Sequence, residues 1–307
     1  LSPSRGARDD TCTKPSQAPK PSQARFLRAM TDRFAAFSFV DRITRLDPGH
    51  RIEGLYTVPA TASRFPAALM AEAVGQLAAW SAMSSVNFTH RPVAGLAGET
   101  RYRGAAVPGQ TLQLAAEIER CDDEAIAYGG TASIDGVCVL ELIHCVGPML
   151  PMEEFDAPEA VRADFETLMG PGAASGRFAG VDAPNLETTG HSAGERLRAV
   201  LQVPETAIYF DDHFPRRPVY PGTLLMDNLY TLALQLAGDL PALNGSRLAV
   251  ARVRDVKIRA FTAPGQALDL EAHVQSSSAD GALMTLAARA DGRTIATARI
   301  DVERSHA

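Results

Sequence analysis

The sequence predicts an α+β protein made of two repeats, in each of which a long apolar helix is wrapped by a curved antiparallel sheet. Two observations predict this class. The chain of 307 residues contains two segments of related sequence, and each joins one helix that is apolar on nearly every face to several strands of alternating polarity. A helix without a solvent-facing stripe has to be enclosed, and a curved sheet can enclose it.

The internal repeat is visible in three pairs of segments that align without gaps. They are residues 65–80 with 220–235, 101–118 with 257–274, and 133–142 with 289–298. The first pair holds the two apolar helices, and the second holds a Pro-Gly-Gln turn followed by an alternating strand. The third pair has an Asp-Gly turn between two strands of period two, which predicts a hairpin in each repeat.

Composition shifts divide the chain into four parts. Residues 1–33 contain a Pro/Ser/Gln repeat and are expected to form a disordered tail. The first repeat is assigned to residues 34–152 and the second to residues 193–307. Between them, residues 153–192 are rich in Gly, Ala and Ser after one segment that predicts a short helix, so they are expected to be a linker.

Charge and hydropathy exclude several classes of protein. The formal net charge is −6, which does not favour binding to nucleic acid or to an anionic membrane surface. No apolar segment reaches the ~18–20 residues of a membrane span, and the start of the chain lacks the apolar core of a signal peptide. The 4 cysteines show no metal-ligand spacing. A cytoplasmic protein without a metal is therefore expected.

The stretch DDHFPRRPVYPGTLLMDNL, residues 211–229, places a histidine and three prolines before an apolar helix that contains one aspartate. It resembles the active-site segment of β-hydroxyacyl-[acyl carrier protein] dehydratases of the FabZ and FabA type. The positions that carry the resemblance are His213, Phe214, Pro215, Pro218, Pro221, Gly222 and Asp227. The resemblance implies a hotdog fold, and the internal repeat makes it a double hotdog. Asp212 and Arg216 stand where the family usually has glycine.

The chemistry of dehydration suits these residue types. A neutral imidazole, here that of His213, removes the proton beside a thioester carbonyl because its pKa lies near working pH. Negative charge develops on the thioester oxygen, and the N–H of Gly222 at a helix N-terminus stabilises it. Pro221 and Phe214 are expected to shape the substrate site around these groups. A carboxyl group, or a water that it holds, protonates the leaving hydroxide.

The carboxyl group that serves His213 is predicted to come from the first repeat. In the family that the segment resembles, each site forms between two hotdogs, with the histidine from one and the acid from the helix of the other. Asp227 lies in the same repeat as His213, so Glu72 is the expected partner. Glu72 is the counterpart of Asp227, since each lies 6 residues after the proline that starts its helix (72 − 66 and 227 − 221).

The first repeat lacks a histidine loop of its own. The interval from Pro59 to Pro66 spans 7 steps, whereas that from Pro204 to Pro221 spans 17 (66 − 59 and 221 − 204). One working site per chain is therefore expected. Asp227 remains a candidate second carboxylate, facing a vacant second site.

The resemblance also implies partners. The substrate is expected on the phosphopantetheine arm of an acyl carrier protein, and no cofactor is needed. Arg216 and Arg217, beside the catalytic loop, are the candidate contacts to that acidic partner. Most other arginines are expected on solvated strand faces. A homodimer of double hotdogs is a further expectation, without nucleic-acid or membrane partners.

Three functions compete on the sequence. The leading one is a lyase that dehydrates (3R)-hydroxyacyl chains on an acyl carrier protein, in fatty-acid or polyketide-type synthesis. The second is another hotdog enzyme, either a FabA-like dehydratase that also isomerises the double bond or a thioesterase. The third is a non-catalytic acyl-binding scaffold, which the shortened first repeat suggests. The retention of both His213 and Glu72 argues against the scaffold.

Overall fold

A computed structural model describes residue 34 and residues 36–174, 178–183 and 185–305. The predicted tail, residues 1–33, lies outside these residues. The described part of the chain contains three α-helices: α1 (Ala67–Ser85), α2 (Pro158–Met169) and α3 (Gly222–Gly238). Two 3-10 turns lie at Met152–Glu154 and Ile208–Asp211.

The strands of the described residues form one large sheet, in which each pair of neighbouring strands is antiparallel. They are β1 (Arg42–Asp47), β2 (Arg51–Thr57), β3 (His90–Pro92), β4 (Leu96–Tyr102), β5 (Thr111–Cys121), β6 (Ala125–Ile134), β7 (Val137–Pro151), β8 (Leu186–Ser192), β9 (Arg196–Gln202), β10 (Leu248–Ile258), β11 (Ala267–Ser277), β12 (Gly281–Ala290) and β13 (Arg293–Arg304). The order is β1-β2-β5-β6-β7-β4-β10-β13-β12-β11-β9-β8, and β3 pairs with β7.

The two repeats meet at the middle of this sheet. We call β1–β7 with α1 the first half, and β8–β13 with α3 the second half. β4 of the first half pairs with β10 of the second, with Thr100 opposite Val253. Ion pairs flank this seam, including Arg252 with Glu99 at 3.2 Å. The strand order is the same on both sides of the seam, as the internal repeat predicts.

The turns of the two halves are also equivalent. Gly109 and Gly265, in the two Pro-Gly-Gln turns, have φ of +90° and +78°. Gly136 and Gly292, in the two Asp-Gly hairpins, have φ of +79° and +74°. Left-handed backbone at these four positions is accessible to glycine without a steric cost, so the sequence repeat encodes the same turns twice.

Helices α1 and α3 are the core of the two halves. Each follows a proline, Pro66 or Pro221, whose φ of −58° suits a helix start and whose missing N–H costs nothing there. Leu77 of α1 and Leu232 of α3 are fully buried, and each such side chain contributes roughly 1.5–3 kcal/mol. The predicted α+β class is confirmed. Within the described residues, none of the helices combines the length and the apolar character that crossing a bilayer requires.

The predicted linker, residues 153–192, contains regular structure. It holds α2, in the segment where a short helix is predicted, and also β8. β8 pairs with β9, with Thr188 opposite Ala199, so the sheet of the second half begins at Leu186 and not at residue 193. β8 is an edge strand whose side chains are mostly exposed. Its sequence therefore lacks the apolar alternation that reveals a half-buried strand.

Candidate active site

A cavity of about 290 Å³ lies where the two halves meet. Its lining includes His213 from the loop before α3, Glu72 from α1 and Gly222 from the start of α3. The structure thus brings the three residues together, although Glu72 and His213 lie in different halves of the chain. Phe214 also lines the cavity, whereas Pro221 and Asp227 are not among its described lining residues.

His213 is oriented by its own loop. A carbonyl oxygen only accepts hydrogen bonds, so the Nδ1–H of His213 donates to the carbonyl oxygen of Val219, at 2.9 Å. In the neutral ring, Nε2 then carries the lone pair. The ring of Phe214 stacks on the imidazole with centroids 4.2 Å apart, and the guanidinium of Arg91 lies 4.0 Å from the centroid of Phe214.

The surroundings of His213 favour its neutral form. Burial lowers the pKa of His213 below its ordinary value, and the charge of Arg91 acts in the same direction. The Glu72 carboxylate and the hydrogen bond to Val219 oppose this shift. A neutral imidazole with Nε2 unprotonated is the state that a general base requires.

Glu72 is held by one residue from each half. Its Oε2 accepts a hydrogen bond from the hydroxyl of Thr223, in the first turn of α3, at 2.7 Å. Its Oε1 accepts one from the amide of Gln76, one turn further along α1, at 2.9 Å. The carboxyl group of the first half is therefore fixed at the N-terminus of the helix that follows the histidine loop.

Gly222 is the first residue of α3. The N–H groups of the first helical turn have no acceptor within the helix, and the helix dipole makes that end attractive to negative charge. A Cβ at Gly222 would lie 2.7 Å from Cδ1 of Ile258, so glycine fits this crowded position. Pro221 contributes as the cap that fixes the start of the helix.

Asp227 occupies a different environment. Its Oδ2 lies 2.6 Å from a guanidinium nitrogen of Arg64, in the short segment that precedes α1. Only 7% of Asp227 is exposed. Burial raises the pKa of Asp227, and the Arg64 charge opposes that shift. Asp227 thus faces the first half, as Glu72 faces the second, but its partner is an arginine and not a histidine.

The place of the shortened loop in the first half is filled by residues that follow α2. Phe178 is 5% exposed and packs edge-on against Phe39 and Phe65, with centroids 5.2 and 5.9 Å apart. The carbonyl oxygen of Ala179 accepts a hydrogen bond from the N–H of Ser63 at 3.0 Å. Aromatic packing therefore covers the region that corresponds to the histidine loop of the second half.

Arg216 and Arg217 are exposed and lie against the 3-10 turn that follows β7. The guanidinium of Arg216 donates to the carbonyl oxygen of Glu153 at 3.0 Å. That of Arg217 pairs with Glu154 at 2.9 Å and lies 4.6 Å from the ring centroid of Phe261. Both side chains thus brace the histidine loop against the end of the first half.

Sequence reasoning missed four residues of the site: Gln76, Thr223, Arg91 and Asp212. A signal existed for Gln76, because it lies one helical turn after Glu72 and so shares its face. Asp212 departs from the family pattern, which marks it as unusual without giving its contacts. Nothing in the sequence indicates the contacts of Thr223 or Arg91, since they cross between segments far apart in the chain.

No cluster of three or more His, Cys, Asp or Glu side chains within the described ranges is arranged to hold a metal ion.

Comparison with protein families gives a match in the second half. The family model of the ApeI dehydratase, termed ApeI-like, matches residues 189–298. This range contains the histidine loop, α3 and most of the strands of the second half.

Two curated relatives are 3-hydroxyacyl-[acyl-carrier-protein] dehydratases named FabZ. The protein of Ligilactobacillus salivarius is 28% identical over 107 residues, which cover 35% of this chain and 76% of the relative. The protein of Lactococcus lactis subsp. cremoris is 30% identical over 104 residues, which cover 34% of this chain and 72% of the relative.

Solved structures match nearly the whole chain at low identity. A MaoC-like dehydratase has a TM-score of 0.51 at 16% identity and covers 84% of this chain and 98% of its own. The tesB protein of Mycobacterium avium subs paratuberculosis has a TM-score of 0.55 at 13% identity, and the match covers 92% of this chain and 99% of that protein. An acyl-ACP thioesterase from Bacteroides thetaiotaomicron has a TM-score of 0.50 at 9% identity, and the match covers 82% of this chain and 98% of that protein.

The structural matches span both halves and support the double hotdog fold. The sequence matches cover about a third of the chain and indicate its family. On the relatives' identity and coverage, the chain belongs to the FabZ family of 3-hydroxyacyl-[acyl-carrier-protein] dehydratases.

Proposed function

We propose that the chain is a lyase that removes water from a (3R)-hydroxyacyl thioester, carried on an acyl carrier protein, to give a 2-enoyl thioester in fatty-acid or polyketide-type synthesis. The observation that carries the proposal is the meeting of His213, Glu72 and the N-terminus of α3 in one cavity. These supply a base, an acid and an oxyanion site, which are the three groups that dehydration of a thioester needs.

The reaction begins with proton removal at C2. Nε2 of His213 takes that proton, while the hydrogen bond from Nδ1–H to Val219 keeps the ring in the correct tautomer. The electrons move toward the thioester carbonyl, whose oxygen gains negative charge. The N–H of Gly222 and the dipole of α3 stabilise this charge without reorganisation.

Loss of the hydroxyl group completes the step. The bond between C3 and oxygen breaks as the C2–C3 double bond forms, and a water held by the Glu72 carboxylate, or Glu72 itself in its protonated form, donates the proton that makes the leaving group water. Thr223 and Gln76 fix the carboxyl group during this transfer. The proton on His213 then passes to the Glu72 site, directly or through solvent, which restores both groups.

Loss of water from a substrate tests this function. The protein is incubated with 3-hydroxyacyl chains on an acyl carrier protein, and intact-mass spectrometry follows the loss of water. We expect turnover by the native chain and a loss of roughly 10²–10⁴-fold in His213→Ala. His144→Ala, at an exposed position of β7, is the matched control and should turn over normally. Equal turnover of His213→Ala and the control would overturn the mechanism.

The same assay separates the alternatives. A hydrolysed product would indicate a thioesterase, and a shifted double bond, seen by NMR of the product, would indicate a FabA-like isomerase. Binding of the acyl chain without any conversion would indicate an acyl-binding scaffold.

We also propose that Arg216 and Arg217 contact the carrier protein. Both are exposed beside the histidine loop, and a positive surface suits an acidic partner. Changing each to Glu should raise KM for the carrier-bound substrate more than for a short N-acetylcysteamine thioester. Arg45→Glu, in β1, is the control for the change in charge. An equal rise of KM for both substrates would assign the two arginines to support of the loop alone.

A further inference from the structure

A short segment before the first strand crosses the candidate active site. We call residues 36–39 the strap. Oδ2 of Asp212 accepts hydrogen bonds from the backbone N–H groups of Ala36 and Phe37, both at 2.8 Å. The hydroxyl of Ser38 lies 3.4 Å from the same oxygen. The strap is therefore anchored to the residue that directly precedes His213.

The other end of the strap is attached to α1. Oε1 of Gln76 accepts a hydrogen bond from the N–H of Phe39 at 2.8 Å, and Nε2 of Gln76 donates to the carbonyl oxygen of Phe37 at 2.9 Å. The same Nε2 lies 2.9 Å from Oε1 of Glu72. The strap thus links the neighbour of the proposed base to the neighbour of the proposed acid, which belong to different halves.

The side chain of Phe37 completes the contact. It lines the cavity, is 2% exposed, and meets the imidazole of His213 edge-on with centroids 5.4 Å apart. Phe214 stacks on the same imidazole at 4.2 Å. The ring of His213 is consequently in contact with two aromatic side chains, one of which belongs to the strap and is held there by Asp212.

We propose that Asp212 is a positioning residue and that Phe37 fixes the orientation of His213 and shields it from solvent. A carboxylate oxygen that accepts two backbone N–H groups forms charge-assisted bonds, which are about twice as strong as neutral ones. A residue without a side-chain acceptor at position 212 would leave both N–H groups without this anchor. The effect on turnover rests on the proposed dehydration, whereas the shielding of His213 does not.

The experiment compares four full-length variants: Asp212→Ala, Asp212→Asn, Phe37→Ala and, as a control, Asp269→Ala at an exposed position of β11. Two quantities are measured, kcat and KM for dehydration, and the rate at which diethyl pyrocarbonate modifies His213, read by peptide mass spectrometry. In Asp212→Ala and Phe37→Ala we expect kcat to fall by roughly tenfold to hundredfold, with a smaller change in KM, because misplacing a catalytic group affects the chemical step.

The modification rate of His213 should rise in the same two variants, because the covering ring is displaced or removed. Asp212→Asn retains an acceptor oxygen that forms weaker hydrogen bonds. Its kcat and its rate of His213 modification should therefore fall between those of the native chain and those of Asp212→Ala. The control should match the native chain. Such graded rescue distinguishes an anchor from a general effect on folding.

The proposal is overturned if, in both Asp212→Ala and Phe37→Ala, the kcat and the rate at which His213 is modified equal those of the control. Should Asp212→Ala fail to fold, Phe37→Ala decides alone, since an unchanged modification rate of His213 there would contradict the role of the strap. If the native chain releases no water from any substrate but the modification rates respond as expected, the dehydratase proposal fails and the strap stands.

Discussion

The proton affinity of His213 is set by opposing neighbours. Burial and the Arg91 charge lower the pKa of His213, and the Glu72 carboxylate raises it. The net pKa lies below the ordinary value for histidine. The neutral form is the active base, so acid inactivates the site by protonating His213. Because the pKa is lowered, this loss occurs at a lower pH than an ordinary histidine would give.

The pH profile of kcat/KM reports this pKa in the free enzyme. We expect the acidic limb to have its midpoint below about 6.5, the ordinary value for histidine. In Glu72→Gln the imidazolium loses a stabilising negative charge, so the pKa of His213, followed by NMR, should fall further. A midpoint at or above the ordinary value, or a rise of the pKa in Glu72→Gln, would contradict the assigned surroundings.

Single residues differ in how far the sequence predicts them. His213, Gly222 and Phe214 belong to one short segment with fixed spacing, so pattern alone identifies them. Glu72 follows from the repeat, because it lies at the same helical position as Asp227. Asp212 could not be assigned a role, since its partners in the strap are 175 and 176 residues away. Contacts of that separation leave no periodic trace in one sequence.

Helices α1 and α3 occupy equivalent places in the two halves, but they differ in side-chain size at one position that lines the cavity. Gly75 of α1 and Tyr230 of α3 each lie nine residues after their helix-starting proline (75 − 66 and 230 − 221). A Cβ at Gly75 would lie 3.1 Å from the hydroxyl of Tyr128, within the cavity lining. At the equivalent place α3 has Tyr230, whose hydroxyl lies 3.5 Å from that of Tyr102. Glycine in the middle of α1 therefore keeps the cavity open beside Glu72.

Replacing this glycine should separate stability from activity. Gly75→Ala improves helix propensity by about 1 kcal/mol, so Tm should hold or rise despite the close approach to Tyr128. The added methyl group occupies substrate space, and kcat/KM should fall by about tenfold. Gly238→Ala, at the end of α3 with nothing within 4 Å of its Cβ, is the control and should leave kcat/KM unchanged. An unchanged kcat/KM in Gly75→Ala would show that this part of the cavity does not hold substrate.

The sequence predicts the two long helices and the hairpins, but it does not predict the strand β8 within the expected linker. The apolar helices and Asp-Gly turns carry local signals that survive without tertiary context. β8 is polar and lies at the sheet edge, so burial imposes no alternation on it. The segment around Phe178 contains a single large apolar residue between glycines, and its packing against Phe39 and Phe65 becomes evident only in three dimensions.

At the scale of the whole molecule, the two halves of the chain share one strand order but differ at their sites. The seam between β4 and β10 joins them into one sheet, and the hydrogen bond from Thr223 to Glu72 joins them at the site. The second half has the histidine loop, whereas the first half has no equivalent loop among the described residues and has Arg64 beside Asp227. The arrangement supports one active site for each chain, built from both halves.

Turnover by Glu72→Gln and Asp227→Asn, measured side by side as loss of water from the carrier-bound substrate, tests this shared site most directly. Glu72→Gln keeps the shape but removes the acid, so kcat should fall by roughly 10²–10⁴-fold, as in His213→Ala. Asp227→Asn removes the partner of Arg64 and should lower Tm, yet below Tm its kcat should change by no more than a factor of a few. If Asp227→Asn is inactive while Glu72→Gln turns over normally, pairing of His213 with Glu72 across the two halves is wrong.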